Sequence, residues 1–142
     1  MASIPRSYPS GLSPYQRGGT IAAIATPAGE GGIAVIRVSG PDALGVAQRV
    51  FSGDVMSMAS HTVRYGMIVD AAGSRVDDAL VTVMRAPRTY TGEDIVEISC
   101  HGGSLITRRG LEVVLSAGAR AAGPGEFTFR AFLNVKIDLA QA

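Results

Sequence analysis

Apolar and polar positions alternate over some stretches of this chain and recur at helical spacing over others, so strands and helices interleave. Residues 20–26 make a β-rich run, stopped by the Pro- and Gly-rich stretch 27–32. A second strand follows at 33–39. Ser39, Gly40, Pro41 and Asp42 then read as a helix start, with Pro41 at the first helical position, and the helix extends to about Phe51. Residues 52–62 read as a polar, irregular connection. Strands at 63–70 and 76–86, joined by a glycine-containing loop at 71–75, predict a hairpin. A strand at 95–100 leads into a helix over about 104–117, with Ile106, Gly110, Val113 and Ala117 on one stripe and Gly118 as its stop. Residues 119–122 suit a short strand. Pro124 opens a helix over Phe127, Ala131 and Phe132, and Asp138, an N-cap type, marks the start of another. The expected class is α+β: a mixed β-sheet backed by helices.

Composition narrows what such a sheet can do. The chain has 142 residues, enough for one domain with a real core. Its residues are 46% apolar and only 18% charged, a lean polar surface that points to a partner over part of it. A net charge of +1 leaves no electrostatic footprint for nucleic acid, so any work on RNA draws its phosphate contacts from elsewhere. The single cysteine, Cys100, excludes an internal disulfide and a multi-cysteine metal site. No apolar run approaches the roughly 18 residues of a membrane span. Residues 1–18 carry Arg6 and Arg17 and no acid, and read as a disordered extension; the alternative is a transit peptide for mitochondrion or plastid. At the other end, the helix expected from Asp138 stops within a turn, too short to stand alone, so the chain reads as the front piece of a longer protein.

Three charges stand alone on otherwise apolar elements: Arg37 within 33–39, Glu97 within 95–100, and Lys136 within 131–138. A desolvated, unpaired charge costs several kcal/mol, so each needs a partner. Two readings stay open for Arg37 and Glu97. They pair with each other across neighbouring strands, or they grip a ligand. A carboxylate takes two parallel hydrogen bonds and so suits an amino-pyrimidinone edge. Arg37 and Lys136 suit carbonyl or carboxylate groups of the same molecule.

Other motifs carry less. Residues 29–34 match G-x-G-x-x-A, but a β-type run follows where a dinucleotide site needs a helix. No G-x-x-x-x-G-K-[ST] is present, so this piece has no phosphate loop. His101, Gly102, Gly103 and Ser104 resemble an esterase oxyanion loop, and Cys100 beside them raises a thiol hydrolase. Neighbouring strand residues point to opposite faces, however, which separates Cys100 from His101. The start of the helix at Ser104 offers free N–H groups to an anion, or is capped by Ser104 itself.

Taken in order, the segments TIAAIATP (20–27), GGIAVIRVSGPDA (31–43), APRTYTGEDIVE (86–97), HGG (101–103), PGEFT (124–128), RAFLN (130–134) and KIDLAQA (136–142) resemble the N-terminal domain of the tRNA-modification GTPase family MnmE, also called TrmE. The resemblance covers about residue 20 to the end. It implies a folate-binding and dimerisation domain over 19–136, related to aminomethyltransferase-type folate domains. Residues 137–142 then lead into a helical and GTPase region absent from this sequence. It implies a reduced folate, 5-formyl- or 5,10-methylene-tetrahydrofolate, held by Arg37, Glu97 and Lys136, with Glu97 on the pterin edge, and a homodimer. It further implies that GTP, magnesium and potassium act only in the absent region. The flavoprotein MnmG would be a partner in modifying C5 of the wobble uridine of tRNA, in the cytoplasm and away from any membrane. This piece alone would not be an enzyme. The alternatives are a dimerisation scaffold without folate, or a thiol hydrolase on Cys100. Glu30, Phe129 and Val135 depart from the family's usual Arg, polar residue, and Gly or Asp at those places.

Overall fold

The alternation resolves into strands β1 (Ile21–Ile24), β2 (Ile33–Ser39), β3 (Thr62–Val69), β4 (Arg75–Met84), β5 (Ile95–His101) and β6 (Arg120–Ala121), with helices α1 (Ala43–Val50), α2 (Ser104–Ser116) and α3 (Glu126–Gln141). The computed structural model describes residues 18–26 and 32–141, with side chains as far as Val135. The strands make one sheet in the order β3-β4-β5-β2-β1-β6. Every neighbouring pair is antiparallel except β1 with β6, which are parallel. The class is therefore the α+β, mixed-sheet architecture expected from the sequence.

One face of the sheet builds the core. Ala34, Ile36 and Val38 of β2, Ala79, Val81 and Val83 of β4, and Val96, Ile98 and Cys100 of β5 all point into it. Helix α1 covers this face with Ala43, Leu44, Val46, Ala47 and Val50, and α2 adds Val113 and Val114. Each fully buried Val or Ile contributes about 1.5–3 kcal/mol of transfer free energy, so this layer dominates the stability. The opposite face carries the polar alternates. One cross-strand row there runs Val63, Thr82, Glu97, Arg37, Ala23, and the next runs Tyr65, Leu80, Ser99, Val35.

Four local expectations change. Helix α1 begins at Ala43 rather than Pro41. The Asp42 side chain does not cap it, because that carboxylate accepts from Arg49 Nη1 at 3.0 Å. The buried stripe of α2 is Thr107, Gly110, Val113 and Val114, which leaves Ile106 on the rim. Gly110 is the contact point: a Cβ there would lie 3.0 Å from Ile36 Cδ1, so the helix turns its thinnest side to the sheet. Ser104 does not cap α2. Gly103 occupies that position at φ 105, a conformation that favours glycine. Finally, no helix starts at Asp138, since α3 runs unbroken from Glu126. Nothing between 126 and 141 is Gly or Pro, and an Asp inside a helix costs only tenths of a kcal/mol.

Candidate functional site

Antiparallel pairing of β2 with β5 sets Arg37 directly opposite Glu97 on the open face. Arg37 donates from Nε to Glu97 Oε2 at 2.9 Å, and its Nη2 lies 2.9 Å from the same oxygen. Both side chains remain about a quarter exposed, at 27% and 28%. The mutual pair left open by the sequence is thus formed. Among the described residues only Oε2 of Glu97 takes a hydrogen bond.

Two aromatic rings flank the same guanidinium. Its central carbon lies 5.5 Å from the Phe127 ring centre and 5.8 Å from that of Tyr90. The cation thus lies over both rings, within cation–π range, while its Nε and Nη2 meet Glu97. Below the rings opens a cleft of ≈ 480 Å³ whose lining includes Arg37, Tyr90, Phe127, Ala23, Ala122 and Gly123. Aromatic walls, a cation and a nearby carboxylate suit a flat, polar-edged heterocycle with an acidic tail. Lys136 belongs to α3, its backbone about 13 Å along the helix from Phe127. Its side chain lies outside the described residues. The structure therefore brings Arg37 and Glu97 together and leaves the convergence of Lys136 undescribed.

Beneath the cleft lies a charge network that the sequence reading missed. Glu126, at the first turn of α3, is 0% exposed, and Arg130 one turn later is 4% exposed. Glu126 accepts from Arg120 at 2.8 and 3.1 Å and from the Gly123 N–H at 2.9 Å. Burial alone would raise its carboxyl. The hydrogen bonds from Arg120 and Gly123, with the nearby positive charges, outweigh that and hold it below the usual range. Arg130 donates to both oxygens of Glu93 at 3.1 Å and to the carbonyls of Gly18 and Gly19. Glu93 also accepts from Ser39, whose hydroxyl bonds that of the buried Thr91. The i,i+4 spacing of Glu126 and Arg130 was a readable signal. Their depth was not.

Cys100 and His101 diverge as the strand alternation requires. The thiol points into the core and donates to the Ala34 carbonyl; burial, and then Asp77, push it up from its ordinary pKa. His101 is exposed and anchored on Asp77, which accepts from the His101 backbone N–H and contacts Nδ1, both at 2.8 Å. A nucleophile–base pair is not formed. The glycine motif at 29–34 falls largely outside the described residues, but the element after it is strand β2, so no helix N-terminus awaits a pyrophosphate. A larger cleft of ≈ 920 Å³ lies on the helical side, between α1, α2 and the β3–β4 turn. No aromatic side chain among the described residues lines it, whereas Tyr90 and Phe127 line the cleft at Arg37, so we take the latter as the candidate site despite its smaller volume. Among the described residues no group of three metal-ligating side chains occurs, and no helix is long and apolar enough to cross a membrane.

Comparison with known proteins adds a family. The family model described as the GTP-binding protein TrmE N-terminus matches residues 20–136. Among curated relatives, the tRNA modification GTPase MnmE of Protochlamydia amoebophila is 64% identical over 129 residues, 91% of this chain. The proteins of the same name from Symbiobacterium thermophilum and Geobacter sulfurreducens are 59% and 60% identical, each over 87% of this chain. The chain spans little more than a quarter of the length of these relatives, 28%, 28% and 27%.

Proposed function

Because this chain belongs to the TrmE N-terminal family, we propose that it is the folate-binding, dimerising front domain of a cytoplasmic tRNA-modifying GTPase. The observation that carries the proposal is the Arg37 guanidinium, flanked by Tyr90 and Phe127 at the mouth of a cleft and bonded to Glu97. A reduced folate, 5-formyl- or 5,10-methylene-tetrahydrofolate, offers a flat ring with an amino-pyrimidinone edge and a tail of carboxylates. Glu97 accepts N–H groups from that edge, while Arg37 and Lys136 meet carbonyl or carboxylate oxygens. The domain holds the one-carbon donor. GTP hydrolysis, with magnesium and potassium, belongs to the remainder of the whole protein, and MnmG with tRNA completes the modification at C5 of the wobble uridine.

The homodimer is assigned to the open sheet face. Val63, Tyr65 and Leu80 stand exposed there, and none of them is charged. An identical face can therefore oppose it without like-charge repulsion, as a two-fold, self-complementary interface requires.

A second reading, a dimerisation scaffold without folate, draws support from the Arg37–Glu97 pair, which satisfies both charges with no ligand. Isothermal titration of the full chain with 5-formyltetrahydrofolate separates the two. Saturable one-site heat supports folate binding; no saturable heat at millimolar ligand leaves the scaffold.

A further inference from the structure

The two rings at the cleft belong to separate segments. Tyr90 sits on the loop between β4 and β5, and Phe127 on the first turn of α3. Neither strand pairing nor the apolar core fixes the distance between them. The polar network does, and one side chain is common to both sides of it.

Arg130 donates through Nη1 to both Glu93 oxygens at 3.1 Å and through Nη2 to Glu126 Oε2 at 3.4 Å. Glu93 lies three residues after Tyr90, and Glu126 immediately precedes Phe127. Helix α3 grips the Tyr90 loop at further points. Asn134, one turn beyond Arg130, donates to the Thr91 carbonyl, and the Tyr90 hydroxyl lies 2.9 Å from that of Thr128. The backbone at Gly92 passes so close to α3 that a Cβ there would lie 2.8 Å from Asn134 Cβ. Ser39, two residues from Arg37 on β2, joins the same carboxylate of Glu93 at 2.8 Å. Both rings and the cation between them are thus referred to one buried guanidinium. Its planar fork reaches both carboxylates and the Gly18 and Gly19 carbonyls at once, which a lysine ammonium cannot do.

We propose that Arg130 is a positioning residue for the cleft: by bridging Glu93 and Glu126 it holds Tyr90 and Phe127 in their places about the Arg37 guanidinium. This rests on the folate reading for the identity of the ligand, but the spacing of the rings is a property of the free protein. Arg130 is buried and does not line the cleft. It acts through the two rings.

The test uses the full chain labelled with 3-fluorotyrosine, which gives four fluorine NMR signals, for Tyr8, Tyr15, Tyr65 and Tyr90. Single Tyr→Phe variants assign the signals of Tyr65 and Tyr90. In Arg130→Lys the Tyr90 signal should move or broaden while that of Tyr65, on the distant strand β3, stays in place. Affinity for 5-formyltetrahydrofolate should fall at least tenfold. Glu93→Gln, which weakens the Arg130 bridge on its Tyr90 side and leaves the Arg130–Glu126 contact, should move the Tyr90 signal in the same way with a smaller loss of affinity. It decides the matter if Arg130→Lys does not fold. The proposal is overturned if the Tyr90 signal is unmoved in the deciding variant, if Tyr65 and Tyr90 shift together, or if Tyr90 moves while affinity stays within twofold. If the unmutated chain binds no folate, the functional reading fails on its own, and the Tyr90 and Tyr65 signals alone judge the role of Arg130.

Discussion

Asp77 holds His101 by two nitrogens at once, and this makes the histidine a measurable report on the rim of the sheet. The hydrogen bond to Asp77, and then its charge, raise the imidazole pKa above its ordinary 6.5. The same contact lowers Asp77 below 3.8, against the burial that would raise it. The histidine's share of stability is therefore fully present below pH 6.5 and is lost as pH climbs through the raised value. The share from Asp77 is present above pH 3.8 and is lost as pH falls through the lowered value. An NMR titration of the His101 ring should give a pKa above 6.5, returning toward it in Asp77→Asn. An unchanged value in the variant would show that the contact does not form in solution. Residue by residue, the site was half legible. Arg37 and Glu97 stand out because a lone charge breaks the β alternation, and their side chains do meet. Glu93 is an ordinary charge beside Asp94, and Glu126 and Arg130, though set among Phe127, Phe129 and Phe132, have the i,i+4 spacing of a surface pair; tertiary packing buries these two and leaves Glu93 half-buried. Nothing in their spacing conveys that depth.

At the scale of elements, strands were read to within a residue or two because period-two patterning and turn glycines act locally. Helix ends were read less well. Asp138 has the chemistry of an N-cap, but a cap forms only where the preceding residues are not already helical, and α3 has no breaker upstream. Likewise Ile106 fits a helical stripe, yet the sheet selects the side with Gly110. The corner from β2 into α1 depends on backbone proximity that no pattern reveals. Gly40 has φ +141, and a Cβ there would sit 2.6 Å from the Thr20 Cα, in the residue just before β1 whose carbonyl accepts from the Arg120 N–H. Thr20 in turn accepts the Asp42 N–H at 2.8 Å. Gly40→Ala should therefore cost about 2 kcal/mol or more, since both conformation and space oppose it. Urea unfolding measures this, and a loss under about 0.5 kcal/mol would contradict so close an approach.

For the whole molecule, one sheet face is sealed by helices and the other carries the site beside an uncovered row. If a second copy covers Val63, Tyr65 and Leu80, then Leu80→Asp places two carboxylates in a desolvated contact and should yield a monomer by sedimentation, with unchanged far-ultraviolet circular dichroism. A monomeric parent chain at high micromolar concentration, or a variant that stays dimeric, would remove this face from the interface. The claim on which the functional reading turns is that the carboxylate at 97 recognises a reduced folate. Paired calorimetric titrations of the parent chain and Glu97→Gln with 5-formyltetrahydrofolate test it most directly. The amide turns an acceptor into a donor at the pterin edge, so affinity should fall about 5- to 150-fold, equivalent to about 1–3 kcal/mol. Equal dissociation constants for the two proteins would contradict it.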